Sequence, residues 1–190
     1  MYICTNIITL FNFWKFLPPE GEFSLVNYRI TADYRPPFKI YPNLEEVGPQ
    51  KMELTVVVRA EMPEGNHAAN MTLNIPMPRS TAGVSFEILP SQCAGCNAEY
   101  NVTSRQVLWS IRKFQGGSEL TLKVKIALDQ PATSVIKREV GPIASSFEIP
   151  MFNVSNLNVK YLRIAETHKS YNPFRWVRYI TQSSSYVCRL

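Results

Sequence analysis

The sequence contains none of the short patterns that build common active sites: no GxSxG, no P-loop, no GxGxxG and no HExxH. Histidine is nearly absent, with 2 in 190 residues, His67 and His168, neither in an acidic context. That leaves little side-chain base near neutral pH. The adjacent carboxylates Glu45 and Glu46 precede Val47 in what reads as a loop. General acid/base work needs carboxylates held at a fixed separation in a cleft, so this pair reads as solvated. No enzyme is expected and no cofactor is implied. Cysteine is also scarce: of 4 in the chain, Cys93 and Cys96 make a close pair in SQCAGCN. A zinc site needs two further thiolates or imidazoles at matching spacing. A redox CxxC should open a helix after a strand, whereas this one lies in a Pro/Gly/Asn-rich stretch. Neither chemistry is expected here, no metal site is assigned, and these cysteines read as unpaired loop thiols.

Long apolar runs are missing too. The opening MYICTNIITLFNFWKFLPP is broken by Thr5, Asn6, Thr9 and Asn12, and a bilayer span needs about 20 apolar residues. As a signal peptide it lacks a basic n-region and a small-residue cleavage site. The N-x-S/T sequons at Asn70, Asn101 and Asn153 keep one alternative open, a secreted, glycosylated β-sandwich binding module. Charged residues are only 18%, with 20 Lys and Arg against 15 Asp and Glu, a net charge of +5. The excess is scattered. It forms no stripe with regular aromatic interleaving, so nucleic acid is not an expected partner. A solvated surface is the plain reading; weak attraction to an anionic membrane face or an acidic partner is the functional one.

What is present is a strand-rich texture. Hydrophobic residues make up 45% and aromatics 12%, with 14 Pro against 8 Gly. Apolar residues recur with a period of two in FSLVNYRI (23–30), FKIYP (38–42), KMELTVVVRAEM (51–62), MTLNIPMP (71–78) and GVSFEIL (83–89). The pattern continues in EYNV (99–102), QVLWSIRKF (106–114), ELTLKVKIAL (119–128), SSFEIPMF (145–152), LNVKYLRIAE (157–166), RWVRYIT (175–181) and SSYVCRL (184–190). Period two marks half-buried strands. No segment keeps helical spacing across three turns. Roughly ten to twelve strands joined by turns such as GPQ, PEGN and QGG imply an all-β sandwich architecture.

Several of these blocks carry a resemblance. PPEGEFSLVNYRI (18–30), FKIYPNLEEVGPQKMELTVVVRAEM, FEIPMFNVSNLNVKYLRIAE and the closing WVRYIT…SYVCRL resemble, in order and spacing, the medium (mu) chains of clathrin-adaptor-type complexes. Within that family the wording SYNPFRWVRYITQ…SYV looks most like the adaptor complex four branch of plants. The resemblance implies an elongated, all-β mu homology domain of two β-sandwich subdomains, the second inserted into the first. Residues 17–33 and 152–190 would belong to the first subdomain, and 34–151 would form the inserted second. Residues 1–16 match nothing in the family. The family's longin-like domain and the first strands of the mu homology domain have no counterpart here, so the first subdomain would be incomplete and the chain a truncated form.

The resemblance also implies a function: a cargo-recognition subunit of a heterotetrameric vesicle-coat adaptor, binding YxxΦ sorting signals in the cytoplasmic tails of transmembrane cargo. The signal would add as an extended strand, with main-chain bonds for affinity and two pockets for specificity. Trp176 and Arg178 match the positions that hold the tyrosine ring, and Val159, Leu162 and Val177 match those lining the Φ pocket. The partners implied are the large and small adaptor subunits, with peripheral membrane association. An aspartate and an aromatic residue that complete the family's tyrosine pocket have no counterpart here, and loss of a charged hydrogen bond costs about 1.5–3 kcal/mol. A non-functional fragment is therefore an alternative outcome. Plasma-membrane relatives carry a lysine cluster where this chain has PSQCAGCNAEYNV, so a trans-Golgi or endosomal location is expected. A second signal-binding face, near Ser24–Tyr28, would have Asn27 where a cation is expected, so that site does not carry over.

Overall fold

The computed structural model describes residues 15–31, 33–90, 95–165 and 174–190. Backbone contacts divide the chain into two units, Met1–Tyr34 and Arg35–Leu190. Within the first, the described residues form neither helix nor strand. The Phe16 and Phe23 rings approach with centroids 5.8 Å apart, around the left-handed turn at Gly21 (φ 80°). Leu25, Tyr28 and Ile30 stay exposed. The strand expected at 23–30 is not formed, because alternation makes a strand only where a neighbour accepts the backbone hydrogen bonds.

The second unit is an antiparallel sandwich. Its strands are β1 (Phe38–Gly48), β2 (Lys51–Ala60), β3 (His67–Pro76), β4 (Thr81–Leu89), β5 (Cys96–Asn101), β6 (Gln106–Gln115), β7 (Glu119–Leu128), β8 (Ile143–Pro150) and β9 (Ile180–Cys188). They form a four-stranded sheet in the order β1-β2-β7-β4 and a five-stranded sheet in the order β5-β6-β3-β8-β9. The all-β expectation is met.

Period-two patterning explains the core. In β2, Met52, Leu54, Val56 and Val58 are buried, and in β7 so are Leu122, Val124 and Ile126. Register sets Leu54 opposite Val124 and Val56 opposite Leu122, so both apolar faces point the same way. Trp109, Ile111, Leu73 and Ile75 supply the facing layer. In β3 the buried set changes phase between Ala68 and Met71. The intervening Asn70 has φ 50°, and the β3–β8 register shifts between Ala69 and Thr72. This is a bulge, at a residue type that tolerates the left-handed region.

A one-turn helix, α1 (Ser134–Arg138), interrupts the β pattern before β8. The Thr133 hydroxyl caps it by accepting from Ile136 N at 3.4 Å, and Lys137 and Arg138 face its negative C-terminal end. Five residues are too few for a period to show in sequence. Glu45 and Glu46 lie on β1, not in a loop. Glu46 pairs with Lys137 at 2.7 Å, and Glu45 accepts from the Asn43 amide at 2.8 Å.

The last strand locks the two sheets together. Tyr186 of β9 donates to the Phe38 carbonyl of β1 at 2.7 Å. Its ring packs against Phe147, which packs edge-on against Phe38 with centroids 4.8 Å apart. Removing the hydroxyl leaves the Phe38 carbonyl without this donor. Tyr186→Phe is expected to lower stability by about 0.5–1.5 kcal/mol, read as a fall in thermal midpoint of roughly 1–6 °C.

Candidate functional site

The site is built on the connection between β8 and β9. Met151 leaves β8 with φ 53° and donates to the Tyr179 carbonyl at 2.9 Å, extending the β8–β9 pairing by one step. The Thr181 hydroxyl donates to Phe152 O at 2.7 Å and accepts from Val154 N at 3.3 Å. Asn153 then folds the chain into a tight turn. Its carbonyl oxygen accepts from Ser155 N and Oγ, at 3.1 and 2.8 Å, and its amide donates to Leu157 O. Such Asx turns suit Asn with Ser two positions on.

After this turn, residues 157–165 and 174–179 have no regular structure. Of the strands expected at 157–166 and 175–181, only Ile180 and Thr181, which open β9, are in a strand among the described residues. Apolar residues on both segments are left in solvent: Leu157, Val159, Leu162, Ile164, Phe174, Trp176 and Val177. Trp176 is 74% exposed. Both segments retain the alternation of strands, but no ladder among the described residues includes them.

One side chain ties the two segments together. The Tyr179 hydroxyl donates to Asn158 Oδ1 at 3.1 Å and accepts from Val159 N at 2.9 Å. Val159 is thereby held beside the run that contains Val177. Trp176 and Arg178 flank Val177 with the opposite parity from Tyr179, so an extended backbone would send them to the opposite side. Among the described residues no hydrogen bond or ion pair engages Arg178, so its guanidinium is uncommitted. Leu162 is on the Val159 segment and half-exposed. Tyr179 is the participant that sequence reasoning missed. Its signal was parity: within WVRYIT it shares a side with Val177.

Other candidates lie elsewhere. Cys96 opens β5 and is disulfide-bonded, so the expectation of an unpaired thiol fails there; Cys93 and His168 lie outside the described residues. Cys188 is a free thiol, and burial pushes its pKa up, which disfavours the nucleophilic thiolate. Among the described residues no group of three or more His, Cys, Asp and Glu side chains clusters as a metal site. No helix among them is long and apolar enough to cross a membrane.

Residues 12–190 match the model of the adaptor complexes medium subunit family. The chain belongs to that family. It is 42% identical over 174 residues to the AP-4 complex subunit mu of Arabidopsis thaliana, covering 92% of this chain and 38% of that protein. It is 32% identical to the AP-2 complex subunit mu of Dictyostelium discoideum, covering 93% and 39%, and 32% identical to the AP-4 complex subunit mu of the same organism, covering 93% and 36%. The chain thus spans less than half the length of these medium subunits. Among solved structures it is similar to the Fcho1 mu homology domain of Danio rerio with bound Eps15 peptide, at 14% identity, a TM-score of 0.46 and coverage of 64% and 41%. Medium subunits are parts of vesicle adaptors, not enzymes.

Proposed function

We propose that this medium-subunit chain recognises tyrosine-based YxxΦ sorting signals in cargo tails, through the face built from residues 157–165 and 174–180. The observation that carries the reading is the juxtaposition at Tyr179. It holds the Val159 segment against the Trp176–Arg178 segment, while both keep unladdered main chain and exposed apolar side chains. A peptide adding as a strand would satisfy that main chain. Trp176 and Arg178 would take the tyrosine ring, by cation–π attraction of about 0.5–2 kcal/mol and a bond from the guanidinium fork to the phenol oxygen. Val159, Leu162 and Val177 would take the Φ side chain.

In this reading residues 17–33 and 152–190 belong to a first subdomain and 34–151 to an inserted second, with β9 of the first paired to β8 of the second. The large and small adaptor subunits are the assembly partners. The absence of lysine from PSQCAGCNAEYNV supports a trans-Golgi or endosomal membrane over a phosphoinositide-gated plasma-membrane role.

Titration of a fluorescent YxxΦ peptide is expected to show weak binding that Trp176→Ala reduces about tenfold or more, equivalent to about 1.4 kcal/mol. Equal binding by both proteins would remove Trp176 from the site. The disulfide at Cys96 favours a second reading, the secreted glycosylated sandwich, because disulfides persist mainly in oxidising compartments. The Asn153 sequon opposes it, since its amide is already donated to Leu157 O. A glycosidase-sensitive mass shift after expression in a secretory cell would support that second reading.

A further inference from the structure

A cleft of about 550 Å³ opens beside the outer edge of β1, walled by Pro42, Leu44, Lys137, Arg138, Arg189 and Leu190 among others. Its volume is within the usual range for ligand sites. The edge geometry of β1 defines what the cleft can offer. The Pro37 carbonyl bonds Glu61 N on the β2 side. The Phe38 and Ile40 carbonyls turn the other way, accepting from the Tyr186 hydroxyl and the Cys188 thiol. Main-chain groups alternate along an antiparallel strand, so those of Pro42 and Leu44 also face away from β2.

Side chains of β9 therefore cover the β1 edge as far as Ile40, and the cover ends where the cleft begins. Pro42 has no N–H, but its carbonyl and both polar groups of Leu44 point outward. No hydrogen bond among the described residues engages the Leu44 main chain on that side. Charge sets the second requirement. The side chains lining the cleft include three cations and no carboxylate. Lys137 is paired with Glu46 at 2.7 Å, whereas Arg138 and Arg189 have no salt bridge among the described residues. Leu44 and Leu190 add apolar walls to the same cleft.

We infer that this cleft docks an extended acidic peptide segment of a partner protein, which pairs with the β1 edge at Leu44 and sets carboxylates against Arg138 and Arg189. An extended strand alternates its side chains, so one with alternating acidic and apolar residues matches both the cations and the apolar walls. Such a site has the form of strand addition to a sheet edge. It lies apart from Trp176 and does not depend on the cargo reading.

The test uses a fluorescein-labelled octapeptide of alternating Glu and Leu, its Gln-for-Glu counterpart, and vesicles containing phosphatidylserine. Fluorescence anisotropy on the full chain is expected to show binding of the Glu peptide that weakens about tenfold for the Gln peptide and for the double variant Arg138→Glu, Arg189→Glu. Trp176→Ala should leave this binding unchanged. Both arginines are solvent-exposed, so the double variant should keep the thermal midpoint of the parent; if it does not, Arg138→Gln with Arg189→Gln replaces it. Equal binding of the two peptides, or no loss in a folded variant, overturns the proposal. So does arginine-dependent sedimentation with vesicles when neither peptide binds.

Discussion

Gly116→Ala is expected to destabilise the sandwich by about 3–5 kcal/mol, the range of severe steric and core defects. A Cβ at this position would meet the Pro63 carbonyl oxygen at 2.0 Å, with Pro63 C at 2.7 Å and Met62 O at 2.8 Å. All three are backbone atoms and cannot swing aside. They belong to the β2–β3 connection, which crosses from one sheet to the other and is stacked on the β6–β7 connection crossing back. Gly116 N donates to Asn66 O at 2.9 Å, Gly117 N to Ala60 O at 3.1 Å, and Ala60 N to Ser118 O at 3.0 Å. Making room for one methyl group parts these crossovers and strains the bonds between them. For a chain of this size the loss corresponds to a fall in midpoint of roughly 6–20 °C. Gly65, on the same β2–β3 connection, provides the control. Nothing lies within 4 Å of the point where a Cβ would stand, and its φ is outside the left-handed region, so Gly65→Ala should be neutral or slightly stabilising. Thermal denaturation of both variants decides the matter, and equal midpoints would show that the stacked crossovers are not rigid.

The strands of the sandwich could be read from alternation alone, because each has a neighbour that buries the face the pattern marks. Leu54 and Val56 of β2 against Val124 and Leu122 of β7 are typical. The same signal failed at 23–30, 157–165 and 175–179. Alternation states which face a strand would bury; it does not supply a partner strand. The helix α1 escaped notice since one capped turn has no period. Glu45 and Glu46 were misplaced because β1 runs on through Pro42 to Gly48, and an edge strand tolerates a proline whose missing N–H points outward. The candidate site was less legible still. Nothing in composition or period distinguishes Trp176 and Arg178 from an ordinary strand, and only the resemblance singled them out. The hydrogen bonds of Tyr179 leave no local pattern in the sequence, since they join residues about twenty positions apart.

Trp109 gives the second large effect. It is fully buried on β6, paired with Leu73 of β3 and Ala98 of β5, in the sheet that also carries β9. Trp109→Ala is expected to cost about 3–5 kcal/mol, from lost transfer energy and the cavity left behind. Trp109→Phe should cost much less than its lost volume suggests. The indole Nε1 is buried and has no hydrogen-bond partner among the described residues, and an unsatisfied buried donor costs about 1–3 kcal/mol. Phenylalanine removes that donor along with part of the ring, so the two changes offset. Chemical denaturation of both variants measures the difference: a loss for Trp109→Phe close to that for Trp109→Ala would mean the indole N–H is satisfied in solution. The consequence for the site is direct. β9 is held through β8 and β3 to β6, so a cavity at Trp109 loosens the sheet that positions Tyr179 and the segment before it. Binding of a YxxΦ peptide should therefore weaken in Trp109→Ala in proportion to the unfolded fraction, whereas Trp176→Ala should weaken it with no change in stability.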